Sequence, residues 1–331
     1  MKFDVIIGNP PYQEMTGGGQ TGAKQIYHHF VIQALSLTDK YVSMITPSRW
    51  LFDEGTMEKF REDLIGKGYI HSIYDFEKST DIFPTVEIAG GVSYYLLDKT
   101  KTSKLVNIIN SNENKSIREL NTYIDPETNR PKFIRDNNAV NIVNKVLIHG
   151  EKPLYSSVSE QNPFDIKNDN ITKERIPAVD VFDIEVIQSY GKIGYINEKY
   201  IGSNRNIINK YKVITGRVSP DRGGVNNAPD YNVINKPMIL KPGQICSMTY
   251  LVLASFDTLE QAENMMAYIK TKLARFLILQ SIYSISATRK VYKLIPTQDF
   301  NVRWDDNKLY KKYGLTDSEI QYVESKIKYM E

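Results

Sequence analysis

The chain has 331 residues, of which 41% are hydrophobic and 24% charged, with a formal net charge of +3. That length accommodates two domains with cores of their own, and the ordinary globular composition excludes a disordered or fibrous chain. No apolar run reaches the ~18 residues of a membrane span and no signal-peptide pattern is present, so the expectation is a cytosolic protein with no membrane partner.

In chain order, Phe3 to Ile7 is a short apolar run closed by Gly8, which predicts a buried strand with Asn9-Pro10-Pro11-Tyr12 just past its C-terminal end. In open α/β sheets that is where ligands bind. The two prolines fix φ and remove two N–H donors, leaving the Asn9 carboxamide and the Pro10 carbonyl as acceptors beside the Tyr12 ring. A rigid pocket of this kind suits a planar group that carries an amino function. Gly17-x-Gly19-x-x-Gly22 satisfies a dinucleotide fingerprint in form, but it starts too late after the strand and reads better as a mobile loop beside the site.

Lys24 to Leu37 predicts an amphipathic helix with Ile26, Tyr27, Phe30, Ala34 and Leu37 on the inner face. Tyr41 to Pro47 then reads as a strand, Glu54 to Gly66 as a helix, and Ile70 to Phe76 as a third strand, giving a βαβ order. Val86 to Leu97 predicts one long strand in which Gly90-Gly91 marks a bulge or a close backbone approach.

Beyond residue 100 the balance of charge changes. Residues 1–100 carry 9 Lys+Arg against 13 Asp+Glu, or −4, which leaves 33 against 26, or +7, for the remainder. A basic second part favours a polyanionic partner. Leu105 to Ile109 is a further strand, Asn137 to Ile148 a helix, and Gly150 to Pro153 a break. From Phe164 to Tyr211 short alternating runs predict a β-rich module. The loop-forming stretch with Arg205, Lys210, Lys212, Arg217 and Arg222 mixes basic, aromatic, glycine and amide residues, as does Ser281 to Lys293 with Arg289 and Lys290. Both have the composition of segments that track phosphates and reach base edges. The only cysteine, Cys246, reads as a small buried apolar residue. A single helix is predicted from Leu259 to Gln280, capped by Asp257 or Thr258. Another is predicted from Asp317 to Tyr329 behind the capping box Thr316-Asp317-Ser318-Glu319. The four histidines lack zinc-ligand spacing, so no metal is expected.

Asn9-Pro10-Pro11-Tyr12 at a strand end resembles motif IV of the amino-methyltransferases. Taken with the strands and helices behind that tetrad, the chain resembles the adenine-N6 DNA methyltransferases of type II and type IIG restriction-modification systems. The resemblance implies an α/β fold: the C-terminal half of a Rossmann-like class I methyltransferase sheet, followed by an α+β target-recognition domain. It places a partial catalytic domain with motifs IV to VIII at 1–110, a helical linker at 111–155, and DNA target recognition at 156–331. Features that carry it later in the chain are Tyr211 to Ile214, Thr271-Lys272, Arg275 to Leu277, Ile295-Pro296, Trp304 and Tyr313 to Thr316.

By the same resemblance, Asn9, Pro10, Pro11 and Tyr12 are catalytic, Tyr12 and Phe83 stack on an extruded adenine, and S-adenosyl-L-methionine donates the methyl group. The strands and glycine loop that hold this cofactor precede motif IV in the family. The expected partners are therefore double-stranded DNA and an N-terminal half, cut away or encoded separately, that completes the sheet. Two alternatives stay open: a non-catalytic DNA-recognition subunit that keeps the tetrad as a relic, and a fragment of a protein or RNA methyltransferase.

Overall fold

The structure, a computed structural model, describes residues 2–14, 24–52, 57–111, 114–125, 131–174, 183–221, 230–283 and 286–331. The chain forms two compact units, Met1–Val140 and Asn141–Glu331.

The first unit is built on a six-stranded sheet of β1 (Phe3–Gly8), β2 (Thr38–Pro47), β3 (Ile70–Phe76), β4 (Val92–Asp98), β5 (Val106–Asn110) and β6 (Lys115–Arg118), in the order β1-β2-β4-β3-β5-β6. β1 is parallel to β2 and β3 to β5, whereas β4 runs antiparallel between β2 and β3, and β6 is antiparallel to β5. Parallel neighbours need a crossover, and α1 (Tyr27–Leu37) supplies the one between β1 and β2. α2 (Glu58–Lys67) comes next on the way to β3 and ends at Gly68, whose φ of 69° is the left-handed cap a Cβ would resist. The result is the mixed α/β class expected, with β4 antiparallel between strands of the opposite direction. A small hairpin, β7 (Tyr123–Ile124) with β8 (Pro131–Lys132), closes the unit.

Burial divides this sheet. Val42, Met44, Ile73, Tyr95 and Leu97 are buried on one face, and α1 packs on β2 through a stripe of Tyr27, Val31, Ala34 and Leu35. On the other face the register brings Val5 and Ile7 beside Tyr41 and Ser43, then Ile45 beside Tyr94 and Tyr74. Phe3, Val5 and Ile7 are 48%, 49% and 78% exposed.

Among the described residues β1 has a single neighbour, so its apolar side chains lie open at the sheet edge rather than buried. Two expectations are corrected here. Phe30 is outside the α1 stripe and 44% exposed, because the helix starts at Tyr27 and buries positions i, i+4, i+7 and i+8. Val86 to Leu97 is not one strand. Gly90 and Gly91 take φ of 86° and 76°, which turns the chain before β4. A Cβ on Gly91 would press into the carbonyl oxygen of Phe76, which is the close approach the glycine pair announced.

The division between the units falls in the first turn of α3 (Ala139–Leu147), whose Ile142, Val143 and Val146 are buried. Two three-stranded sheets come after it. One orders β9 (Asp183–Ile187), β10 (Ile193–Asn197) and β13 (Gln244–Cys246) as β10-β9-β13. The other orders β11 (Tyr211–Gly216), β12 (Met238–Leu240) and β14 (Tyr250–Phe256) as β12-β11-β14. They share one core that includes Phe164, Val186, Ile214, Ile245 and Cys246. Burial pushes the Cys246 thiol up to about 12.

The helix expected from Leu259 to Gln280 is two helices, α4 (Leu259–Lys270) and α5 (Lys272–Leu279). Thr271 between them is extended and caps α5, its hydroxyl accepting from the Ala274 amide at 3.3 Å, while Asp306 accepts from the Lys272 and Leu273 amides at 3.0 and 2.9 Å. Thr258 is the cap of α4. α6 (Asp306–Lys312) precedes α7 (Asp317–Lys326), which carries the predicted capping box in full. α7 stops short of Tyr329 because Ile327 is extended and bridges Tyr231.

Candidate functional site

β1 and β2 deliver their C-terminal ends, Gly8 and Pro47, to the same end of the sheet as the start of antiparallel β4. Pro10 is buried there and Asn9 is exposed beside it. The Tyr12 carbonyl accepts from the Ile26 amide at 3.1 Å, Gln13 bridges Gln25, and the Glu14 amide donates to the Lys24 carbonyl at 2.9 Å. The tetrad is thus pinned to the segment leading into α1 on both sides of the glycine-rich loop, which itself lies outside the described residues. The Tyr12 ring meets Tyr27 edge-on at 6.5 Å. Burial raises the Tyr12 hydroxyl above its ordinary pKa, so it stays neutral at pH 7.

A cavity of about 580 Å³ opens over this end of the sheet, lined by Asn9, Pro10, Pro11 and Tyr12 together with Pro47, Arg49, Phe83 and Glu87. Phe83 is set by its neighbour Ser79, whose carbonyl accepts from the Phe83 amide at 2.7 Å. The Ser79 hydroxyl donates to the Val86 carbonyl at 2.8 Å and accepts from the Ile88 amide at 2.7 Å, holding the rest of that wall. Asn9 and Pro10, as acceptors, and the Tyr12 and Phe83 rings therefore line one cavity at the C-terminal ends of parallel strands. Such an arrangement suits a planar ring with an exocyclic amino group.

Sequence reasoning missed two features at this site. Arg49 lines the cavity with no motif to announce it. Beneath it, buried Asp75 takes a bidentate pair from Arg135, with Nη2 at 2.8 Å, and accepts from the Ser48 hydroxyl at 2.7 Å. Only the distance in sequence between Ser48, Asp75 and Arg135 hid this network, since each lies at or near a strand end.

In the second unit the basic residues have separate fates. Lys212 is buried, and its ammonium donates to the carbonyls of Ile207, Ile208 and Lys210 at 3.1, 2.7 and 2.7 Å. It cannot reach a phosphate, so its assignment to DNA contact is corrected; burial also pulls its pKa down to about 8. Lys210 pairs with Asp257 at 3.1 Å, and exposed Arg205 donates to the Ile201 carbonyl at 2.8 Å. Arg217 and the 286–290 segment are adjacent, joined by the Ala287 amide to the Arg217 carbonyl at 2.7 Å and by the Val218–Ser286 bridge. Arg289 lies 4.1 Å over the Tyr155 ring and pairs with Glu160 at 2.6 Å, while Lys290 is next to it in the same turn. Arg222 lies outside the described residues. Among the described residues no group of three or more His, Cys, Asp or Glu could hold a metal ion, and no helix is long and apolar enough to cross a membrane.

Residues 1–83, which contain the tetrad, α1, β2 and Phe83, match the model of the family described as Eco57I restriction-modification methylase. A curated protein of Mycoplasma pneumoniae described as an uncharacterized adenine-specific methylase is 35% identical over 180 residues, 53% of this chain and 41% of that protein. The chain thus spans less than half the length of that relative. Among solved structures, the type IIL restriction-modification enzyme MmeI in complex with DNA has a TM-score of 0.40 at 12% identity, covering 88% of this chain and 46% of its own. The type I restriction-modification methyltransferase subunit of Streptococcus thermophilus has a TM-score of 0.28 at 15% identity, covering 46% and 32%. By sequence, residues 1–83 are similar to restriction-modification methylases, and 53% of the chain is similar to an adenine-specific methylase.

Proposed function

We propose that this chain is the base-binding and DNA-recognition part of a site-specific adenine-N6 DNA methyltransferase of a restriction-modification system, acting in the cytoplasm. The observation that carries the reading is the single cavity lined by Asn9, Pro10, Tyr12 and Phe83 at the C-terminal ends of β1 and β2. The adenine amino nitrogen is a poor nucleophile because its lone pair is delocalised into the ring. Asn9 and Pro10 oxygens that accept its two hydrogens would draw it toward tetrahedral geometry and free the lone pair for in-line attack. Tyr12 would stack on the extruded base, worth ~1 to 3 kcal/mol by aromatic stacking, with Phe83 against its other side.

S-adenosyl-L-methionine, which the family similarity implies, would supply the methyl group. The described lining fits a base better than this whole cofactor: Glu87 is its one carboxylate, and no glycine is among the described residues that line it. The residues that hold the cofactor are therefore assigned to a partner segment that pairs with β1 and covers the open face of Val5, Ile7, Tyr41 and Tyr94. Arg205, Lys210, Arg217, Arg289 and Lys290 remain candidates for phosphate contact in the second unit, and Arg222 is proposed with them on sequence grounds alone.

Titration of S-adenosyl-L-methionine into this chain by calorimetry, with and without duplex DNA, tests the division of labour; little binding is expected in either case. In the enzyme completed by its partner, Asn9→Ala is expected to abolish methyl transfer while leaving DNA binding intact. Full methylation by that variant would discard the catalytic reading in favour of a non-catalytic recognition subunit. Absence of salt-sensitive binding to duplex DNA would point instead to a protein or RNA substrate.

A further inference from the structure

Arg49 is the one cationic side chain among the described residues that line the cavity. It is exposed, yet it sits between residues that are fully buried: Ser48 before it, Trp50 and Leu51 after it. The 3₁₀ turn Ser48–Leu51 that carries it is tied down from several sides. The Ser48 amide donates to the Gly91 carbonyl at 3.0 Å, the Ser48 hydroxyl to Asp75 at 2.7 Å, and the Phe52 amide to the Arg49 carbonyl at 3.1 Å. Asp75 is fixed in turn by Arg135, which also lies 5.3 Å over the Phe52 ring. A guanidinium with no carboxylate partner among the described residues is thus presented at the cavity by a backbone that has little freedom to move.

We infer that Arg49 is a positioning residue that takes a phosphate flanking the nucleotide whose base enters the cavity; this rests on the base-pocket reading above. An extruded base carries its sugar and both neighbouring phosphates to the mouth of the pocket it enters. A cavity of about 580 Å³ falls in the range that holds ligands larger than one base ring, roughly 300 to 1,000 Å³. The planar guanidinium fork matches two phosphate oxygens, and a rigid mount lowers the entropy lost in making the contact. Among the described residues that line the cavity, Arg49 is the one cation and Glu87 the one carboxylate.

The test compares deoxyadenosine with deoxyadenosine 3′,5′-bisphosphate, titrated into the full chain and followed by ligand-observed NMR, for the wild type, Arg49→Gln, Arg49→Lys and Asn9→Ala. The wild type is expected to prefer the bisphosphate by about fivefold to tenfold, the net scale of one hydrogen bond made at an exposed site. Arg49→Gln should lose that preference with deoxyadenosine binding unchanged, and Arg49→Lys should keep part of it. Asn9→Ala should weaken both ligands alike. A preference that survives in Arg49→Gln, or none in the wild type, overturns the role of Arg49 and leaves the base pocket standing. Failure of the wild type to bind either ligand overturns the base-pocket reading and the inference with it.

Discussion

β1, Phe3-Asp4-Val5-Ile6-Ile7-Gly8, and β11, Tyr211-Lys212-Val213-Ile214-Thr215-Gly216, share nearly one pattern: an aromatic, a charge, Val-Ile, a β-branched residue and a glycine. Their surroundings are opposite. β11 lies between β12 and β14, and its Lys212, Val213, Ile214 and Thr215 are all buried. Among the described residues β1 has β2 on one side only, and Ile7 is 78% exposed. The charged second residue repeats the contrast, since Asp4 meets Lys40 at 2.8 Å in solvent whereas Lys212 is enclosed by backbone carbonyls. Pattern therefore fixes that a segment is a strand, and the number of neighbours fixes what its side chains contribute to stability. In the proposal above, the missing neighbour of β1 belongs to the partner segment.

The widest gap is expected from truncating one isoleucine in each strand. Ile214→Ala removes fully buried methyl groups from a closed core and should cost about 2 to 5 kcal/mol. Ile7→Ala, at an exposed position, should stay within about 0.5 kcal/mol in the isolated chain. Urea unfolding of both variants measures the difference; equal losses would mean that β1 is already covered in solution.

Lys212 sharpens the same contrast. Lys212→Met leaves carbonyls of Ile207, Ile208 and Lys210 without their donor and should destabilise the second unit by about 1 to 3 kcal/mol. The effect depends on pH. Burial lowers the folded pKa of Lys212 to about 8 from its ordinary 10.5, so between these values the unfolded chain holds the proton that the folded chain has released. The contribution of Lys212 to stability therefore rises as pH climbs from 8 toward 10.5, and the desolvation penalty is fully present below 8. Unfolding midpoints of wild type and Lys212→Met, compared at pH values of about 7 and about 9.5, should diverge further at the higher one. Neutralising Asp4 should change nothing measurable at either pH.

Much of the first unit was legible in the sequence because its signals are local. Pro47 ends β2, the glycine pair precedes β4, and the tetrad comes after a strand of the right length. What escaped the sequence depends on neighbours distant in the chain. Nothing in Tyr211-Lys212 distinguishes a lysine for phosphate from one enclosed by carbonyls. The Thr271 break was hidden because the apolar stripe continues from α4 into α5, and the capping acceptor, Asp306, lies 34 residues past Lys272. Arg49 was silent for the same reason, since the burial of Ser48, Trp50 and Leu51 is what singles it out.

The smallest effect on stability should accompany the clearest effect on association. An unpaired apolar strand edge is a template for another chain, and a single charge pointing from it is the usual protection. Lys2, just before β1, and Asp4 within it are engaged with Asp39 and Lys40 of the β2 segment, so within Lys2–Gly8 no free charge guards Val5 to Ile7. Ile7→Lys is therefore expected to leave the unfolding midpoint of the isolated chain within error, to reduce its self-association in sedimentation velocity, and to weaken pairing with the proposed partner segment. The position discriminates between the two halves of the comparison, because a lysine side chain at Ile7 can extend into solvent, while one at Ile214 would be buried without acceptors. If Ile7→Lys unfolds the chain as readily as Ile214→Lys, β1 owes its conformation to burial within this unit, and a partner strand is not needed to explain it.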